Sequence, residues 1–487
     1  MKALRAHLVA LAAPLLASTA CVTSDLASDQ PSGDVAEDSQ ALLCSGGDIP
    51  EKYYRDFDGD GHAVSTPTLF CSDPGPGWSD VAGSDCNDHD ASVHPGAVEI
   101  ANDGKDSNCD GVERSACKSV QVDSGKFFSC ALSAAGNVKC WGNNEFGQLG
   151  LGDAAAYRGY KAGEMGDNLP IVNLGTGKTA KAISTGANHA CAILNDDTVK
   201  CWGGNDYSGY GALGLGDTVN RGDNPGEMGN SLPTVNLGTG KTAKAIAAGI
   251  DHTCAILNDN TVKCWGPNAN GQLGLGDTAD RGDNPGEMGD SLPTVNLGTG
   301  KTAKAITAGY AYTCAILNDD TVKCWGDNYV GQLGLGDTAD RGDAPGEMGD
   351  SLPAVQLGSG LTAVKISAGF EHVCALLTGN KVKCWGHNGS GALGVPWGPV
   401  YYRGAAPGEM GDSMPVVDLD FTPTGISSGA WFNCAFSGNS LKCWGSNGEA
   451  MSVGTGDLGL GDRLDRGDDA GEMGSALPFV NLGCPGL

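Results

Sequence analysis

Six times along this 487-residue chain the same block returns: Cys-Ala-Ile-Leu or a close variant, a short polar turn, Val-Lys-Cys-Trp-Gly, a Gly-Gln-Leu-Gly stretch, an acidic loop and Leu-Pro-x-Val-x-Leu. Its first cysteine falls at Cys130, Cys191, Cys254, Cys314, Cys374 and Cys434, a period of 60 to 63 residues. A period of that length, filled with short β-branched runs between glycine turns, marks propeller blades or a β-solenoid. Glycine supplies 78 residues, a density that excludes helical repeats. In the fourth block the runs Ala303 to Ile306, Cys314 to Leu317, Val322 to Trp325 and Pro353 to Leu357 are each bounded by turn residues, which predicts four strands per unit. The fold class expected is all-β, a six-repeat β-propeller over residues 117–487.

The two cysteines of a block lie ten residues apart about a central turn, which sets them directly opposite each other on adjacent antiparallel strands. Opposed residues of a non-hydrogen-bonded pair approach to about 4.5 Å between Cα atoms, close enough for a disulfide. The expected pairs are Cys130 with Cys140, Cys191 with Cys201, Cys254 with Cys264, Cys314 with Cys324, Cys374 with Cys384, and, across a turn shortened to Gly438-Asn439, Cys434 with Cys443. Six equivalent pairs look structural and not redox-active. In a closed ring the first strand, Ser119 to Asp123, lies near the last, Phe479 to Leu482, and a Cys117 to Cys484 bridge is expected to staple it shut. Trp141, Trp202, Trp265, Trp325, Trp385 and Trp444 recur once per unit and are expected to pack between blades. His189, His252 and His372 share one position, but Tyr312 occupies it in the fourth unit, so they read as packing or hydrogen-bonding residues and not as a metal ring.

With Gly326-x-Asn328-x-x-Gly331-Gln332-Leu333-Gly334 as its characteristic stretch, the chain resembles the repeats of the regulator of chromosome condensation family over about residues 118 to 483. That resemblance implies a β-propeller, although the family commonly has seven blades and this chain has six units. The acidic loop Asp277 to Asp290 gathers Asp277, Asp280, Asp283, Glu287 and Asp290, yet no spacing fixes a ligand cage, so it reads as a solvated turn-rich loop. Arg-Gly-Asp begins at Arg221, Arg281, Arg341 and Arg466, but it travels with the whole repeat and is not read as an adhesion signal.

Lys and Arg total 30 against 58 Asp and Glu, and the net charge of -28 repels phosphate backbones, so no nucleic-acid partner is expected. Nineteen cysteines suit an oxidising compartment. Export is written at the N-terminus, where Lys2 and Arg5 precede an apolar run, Leu8 to Ala17, and Ser18-Thr19-Ala20-Cys21. This segment resembles a bacterial lipoprotein signal, which implies a signal peptide over 1–20 and lipidation of Cys21. Ser18 stands where that family usually has Leu, so ordinary cleavage at the same bond stays open. Residues 21–43 read as an acidic flexible tether, and the protein is expected at the outer membrane or cell surface, touching membrane only through a lipid anchor, or otherwise secreted.

The next module, 44–116, carries Asp56-x-Asp58-x-Asp60-Gly61, the first half of an EF-hand loop, with Pro67 where the closing Glu would stand. Further oxygen donors follow in Asp85, Asn87, Asp88 and Asp90, in Glu99, and in Asp106, Asn108 and Asp110. Such acidic density in a segment with few large apolar residues calls for a cation, and calcium is expected. From Tyr54 to Gly111 the chain looks like the MopE-type metal-binding motif and is similar to thrombospondin calcium repeats, on Asp85-Cys86-Asn87-Asp88, His94-Pro95-Gly96-Ala97-x-Glu99 and Asn108-Cys109-Asp110-Gly111. It departs at Ala101, where that motif often has another Cys; Cys86 with Cys109 and Cys44 with Cys71 are the expected pairs. Copper competes through His62, His89 and His94, but oxygen donors heavily outnumber nitrogen donors, which favours the harder cation.

The functional expectation is a monomeric, exported surface protein that binds an unidentified protein or glycan and is not an enzyme. The repeats differ most at Tyr207 and Tyr210 in unit two and at Trp397, Tyr401 and Tyr402 in unit five, and these aromatics are the expected partner surface. A secreted enzyme inhibitor is one alternative, since a β-lactamase inhibitor protein resembles this propeller family. A propeller lyase or hydrolase is another, but it needs an asymmetric cluster of acids and bases, and the polar residues that break the repeat, such as Glu371 and His387, look isolated.

Overall fold

A computed structural model describes residues 51–480, apart from single positions and short stretches that include 81–84, 98–104, 111–118, 206–209, 397–400 and 449–457. Cys21, Cys44, Cys71, Cys117 and Cys484 lie outside the described residues, so the expected lipidation and the Cys44–Cys71 and Cys117–Cys484 bridges fall there too. The chain divides into two compact units, one ending at Glu99 and resuming over Gly104–Glu113, the other comprising Ile100–Asp103 and Arg114–Leu487.

The first unit has a small sheet in which Glu51–Arg55 pairs with Thr68–Phe70 on one side and Trp78–Ser79 on the other. Phe70 packs edge-on against Trp78 and Tyr53, with ring centres 4.8 and 6.1 Å away. Cys86 is bonded to Cys109.

The second unit is a β-propeller in which the described residues form six antiparallel sheets, one per repeat. In the fourth repeat the inner strand is Ala303–Ala308, the middle strand Tyr312–Leu317 and the outer strand Val322–Gly326. The paired cysteines face each other in register in all six sheets, with Cα atoms 4.0 to 4.1 Å apart, and each pair is a disulfide. Cys314, Cys324 and Ile316 are buried because middle and outer strands are covered on both faces.

The fourth strand lies elsewhere than the sequence predicts. Pro353 to Leu357 forms no ladder; it makes one rung, in which the Val355 amide donates to Val322 O. Pro353 has no amide to donate, and the carbonyl of Leu357 is taken by the amine of Lys383 in the next repeat. The outer position is filled instead by the Arg-Gly turn, through a single bridge between Gly326 and Arg341. In repeats one and five this bridge lengthens to two-residue strands, Tyr157–Arg158 and Tyr402–Arg403.

Among the described residues five apolar clusters form the core, and each lies between two consecutive repeats. The repeated tryptophan joins them. Trp202, Trp265, Trp325, Trp385 and Trp444 are 0% exposed, and each indole donates to a carbonyl of the repeat before it, those of Gln148, Ala212, Gln272, Gln332 and Ala392, at 3.0 to 3.2 Å. The last glycine of Gly-Gln-Leu-Gly leaves room for that ring: a Cβ on Gly274, whose φ is +68°, would stand 2.7 Å from the Trp325 indole nitrogen.

Candidate functional site

In the N-terminal unit the described donors are Asp56, Asp58, Asp85, Asn87, Asp90 and Asp106, while Asp60, Asp88, Glu99, Asn108 and Asp110 lie outside the described residues. Asp56 Oδ1 accepts the Gly59 amide at 2.6 Å, the turn that an Asp-x-Asp-x-Asp-Gly run requires. Asp85 is 2% exposed; its Oδ1 accepts the Asn87 amide, and its Oδ2 is buried with no partner among the described residues. An orphaned buried carboxylate oxygen fits a hard cation. Asp90 is otherwise engaged: the Lys105 amine and Ser92 hold its carboxyl down at about 2. His62 and His94 stack nearly parallel, with ring centres 5.2 Å apart. Among the described residues no three His, Cys, Asp or Glu side chains meet to hold a metal.

The propeller's two ends differ in chemistry. At the end carrying the middle-to-outer turns, exposed lysines pair with aspartates, as in Lys181–Asp197 and Lys304–Asp320. The opposite end carries the inner-to-middle turns and surrounds the mouth of a channel of about 210 Å³ lined by all six inner strands. Asp123 is a half-buried acid of its wall; loss of solvent around it lifts its carboxyl to about 6, although Thr185 donates to it from both amide and hydroxyl. Aromatic side chains collect at the mouth. Tyr310 and Tyr329 are 51% and 53% exposed, and Phe127, Tyr157 and Tyr402 are exposed at the same end.

Glu371 and His387, isolated in the sequence, meet here. The His387 amide donates to Glu371 O at 2.9 Å. The His387 ring lies 5.2 Å from Trp431 and 5.5 Å from Tyr402, Trp431 lies 5.3 Å from Phe370, and Phe370 lies 6.2 Å from Tyr310. Tyr329 donates its hydroxyl to Glu371 Oε1. Asp327 belongs to the same surface, its carboxyl raised to about 6 by burial and by the charges of Asp340 and Glu371. Of the expected partner residues, Tyr402 joins this cluster and Tyr401 and Tyr210 are exposed; Trp397 and Tyr207 lie outside the described residues. Spacing gave no signal for Tyr310, Tyr329, Phe370 or Trp431, because each sits at a turn position that other repeats fill with different residues.

The buried histidines are ties between repeats. His189 and His252 place Nε2 2.9 Å from the hydroxyls of Thr253 and Thr313, and His372 places its own 3.0 Å from Asn433 Oδ1. Tyr312 does the same work by donating to Gly369 O and His372 O. The Arg-Gly-Asp arginines are likewise committed: Arg341 donates to Asp337 and to the carbonyls of Ala339 and Asp340. In the acidic loops Glu287 accepts the amides of Gly282 and Asn284, so the carboxylate stabilises its own turn.

Comparison with known proteins agrees with this architecture. Regulator of chromosome condensation (RCC1) repeats match at 120–148, 180–208, 243–272, 303–332 and 363–392, and again at 135–193 and 319–376. Residues 85–113 match the family described as "Putative metal-binding motif". The chain is 26% identical to the ultraviolet-B receptor UVR8 of Arabidopsis thaliana over 72% of its own length and 68% of the receptor's. It is 30% identical to a human protein named as a probable E3 ubiquitin-protein ligase, HERC6, over 56% of its own length but only 24% of the ligase. The fold is similar to that of Prp20p from Saccharomyces cerevisiae, with a TM-score of 0.55 and 17% identity over 74% of this chain and 76% of that one. The second unit is thus a β-propeller that carries matches to RCC1 repeats, and the match to the metal-binding motif family precedes them in the chain.

Proposed function

We propose that this protein is an exported, non-enzymatic binding scaffold that holds a partner protein on the aromatic mouth of its propeller. The observation that carries the reading is the set of exposed aromatic rings gathered at one end of a disulfide-stapled frame, while the other end presents paired ions. Relatives are in keeping with a protein partner: Prp20p is described as binding Gsp1p and histones, and UVR8 is named a receptor. The nineteen cysteines and the apolar N-terminal run favour export, with Cys21 as the anchor point. Capture from intact cells tests the mouth. A triple Phe127→Ala, Tyr310→Ala, Tyr402→Ala variant should keep the wild-type melting curve and lose the captured partner; equal capture overturns the reading.

The N-terminal motif is assigned calcium on the same terms. The support is its oxygen-rich donor set and the orphaned Asp85 Oδ2. Bound there, calcium would neutralise the carboxylates of this segment and give Asp85 Oδ2 a partner. Calorimetric titration of the full chain should show sub-millimolar calcium binding that Asp85→Asn weakens at least tenfold. Tighter binding of copper than of calcium, insensitive to Asp85→Asn, would reverse the assignment.

A further inference from the structure

The cluster around Glu371 has a chemistry more specific than that of an apolar patch. Its carboxylate is oriented by the Tyr329 hydroxyl at Oε1, while Oε2 has no partner among the described residues. Phe370, Trp431, His387 and Tyr402 form a chain of ring contacts around the Phe370–Glu371 turn, with centres 5.2 to 5.5 Å apart. Aromatic faces carry negative potential, and a carboxylate beside them adds to it, so the site favours a cation with an apolar stem. Asp327 and Asp340 deepen that field. The molecule supplies one example of the pairing: Lys126 reaches from repeat one across the mouth, its amine 4.9 Å from the centre of Phe127 and 5.5 Å from that of Phe370.

We propose that Glu371 and its surrounding rings are a socket for a lysine or arginine side chain presented by a protein partner. This rests on the mouth being the partner surface, and it adds the partner's chemistry. The net charge of -28 draws a basic segment towards the protein as a whole, and Glu371 with Tyr329 and Trp431 fixes where its side chain inserts. Arginine fits best, because a planar guanidinium can lie on Trp431 or Tyr402 while it donates to Oε2.

The test uses the full-length protein and a fluorescent decapeptide in which arginine alternates with glycine or serine, together with its norleucine counterpart. Both are titrated at about 150 mM salt, where charges more than roughly 8 Å apart in water are largely screened. The arginine peptide should bind at least tenfold more tightly than the norleucine one. Glu371→Gln should remove most of that difference, while Asp197→Asn, an equal charge change at the opposite end, should leave it within twofold. Equal affinity for the two peptides, or equal losses in the two variants, overturns the socket. Applied to cell capture, retention of the partner by Glu371→Gln and its loss in the Phe127/Tyr310/Tyr402 variant refutes the cation while sparing the mouth; retention by both refutes the mouth as well.

Discussion

The residue two positions before each block's first cysteine shows how one side chain ties neighbouring repeats. Burial lowers the pKa of His189 and His372 to about 4 and that of His252 to about 3, against 6.5 for an exposed imidazole. The unfolded chain therefore binds protons that the folded chain refuses, and stability falls as pH drops from about 6.5 towards those values. Asp123 works in the opposite sense: its folded pKa of about 6 lies above the ordinary 3.8, so its contribution is present at low pH and is lost as pH rises through 6. His252→Gln keeps a partner for Thr313 and removes one titrating group. Denaturation midpoints measured from pH 7 to 4 should then fall less steeply, by up to about 1.4 kcal/mol per pH unit. An unchanged slope would mean that the imidazole is not the acid-sensitive group. That these histidines were packing residues was legible, because Tyr312 could replace them; their partners were not, since Thr253 and Asn433 lie 64 and 61 residues away in sequence.

At the scale of the element, the middle-outer hairpin is the most local structure in the protein and the most legible. Alternating side chains and an odd-numbered turn put Cys314 opposite Cys324, and the structure pairs them so. Replacing both with alanine should cost about 2 to 3 kcal/mol from the lost loop constraint, read as a shift in the urea midpoint under oxidising conditions with the fold retained. The Pro353 to Leu357 segment misled for a physical reason. Val355 and Leu357 alternate as in a strand and are buried like one, but burial of alternate residues does not require a hydrogen-bonded neighbour. The lysine of Val-Lys-Cys-Trp went unread for a related reason: a charged side chain on a half-apolar strand looks solvent-facing, yet Lys263 is buried and donates to the carbonyls of Leu237 and Gly289.

Across the whole molecule, the interfaces between repeats are alike except at the ends. Trp141, in repeat one, has no repeat before it in the chain and is partly exposed, unlike its five buried counterparts. Among the described residues no backbone hydrogen bond runs from repeat six back to repeat one. Stability should therefore depend on position: Trp265→Ala should cost about 3 to 5 kcal/mol by urea unfolding, and Trp141→Ala less than half as much. Equal costs would show that Trp141 is covered as the others are.

Alternation and spacing over about ten residues were enough to specify the repeat, three of the strands in each unit, the turns between them and the partner of every cysteine within a propeller sheet, because these are local properties of a pleated chain. Which carbonyl receives each tryptophan, where the outer rung of each sheet lies, and that Glu371, His387, Trp431 and Tyr329 share one surface came only with the folded molecule. Those contacts join residues brought together by the way the sheets stack around the channel, and no period in the sequence records that arrangement.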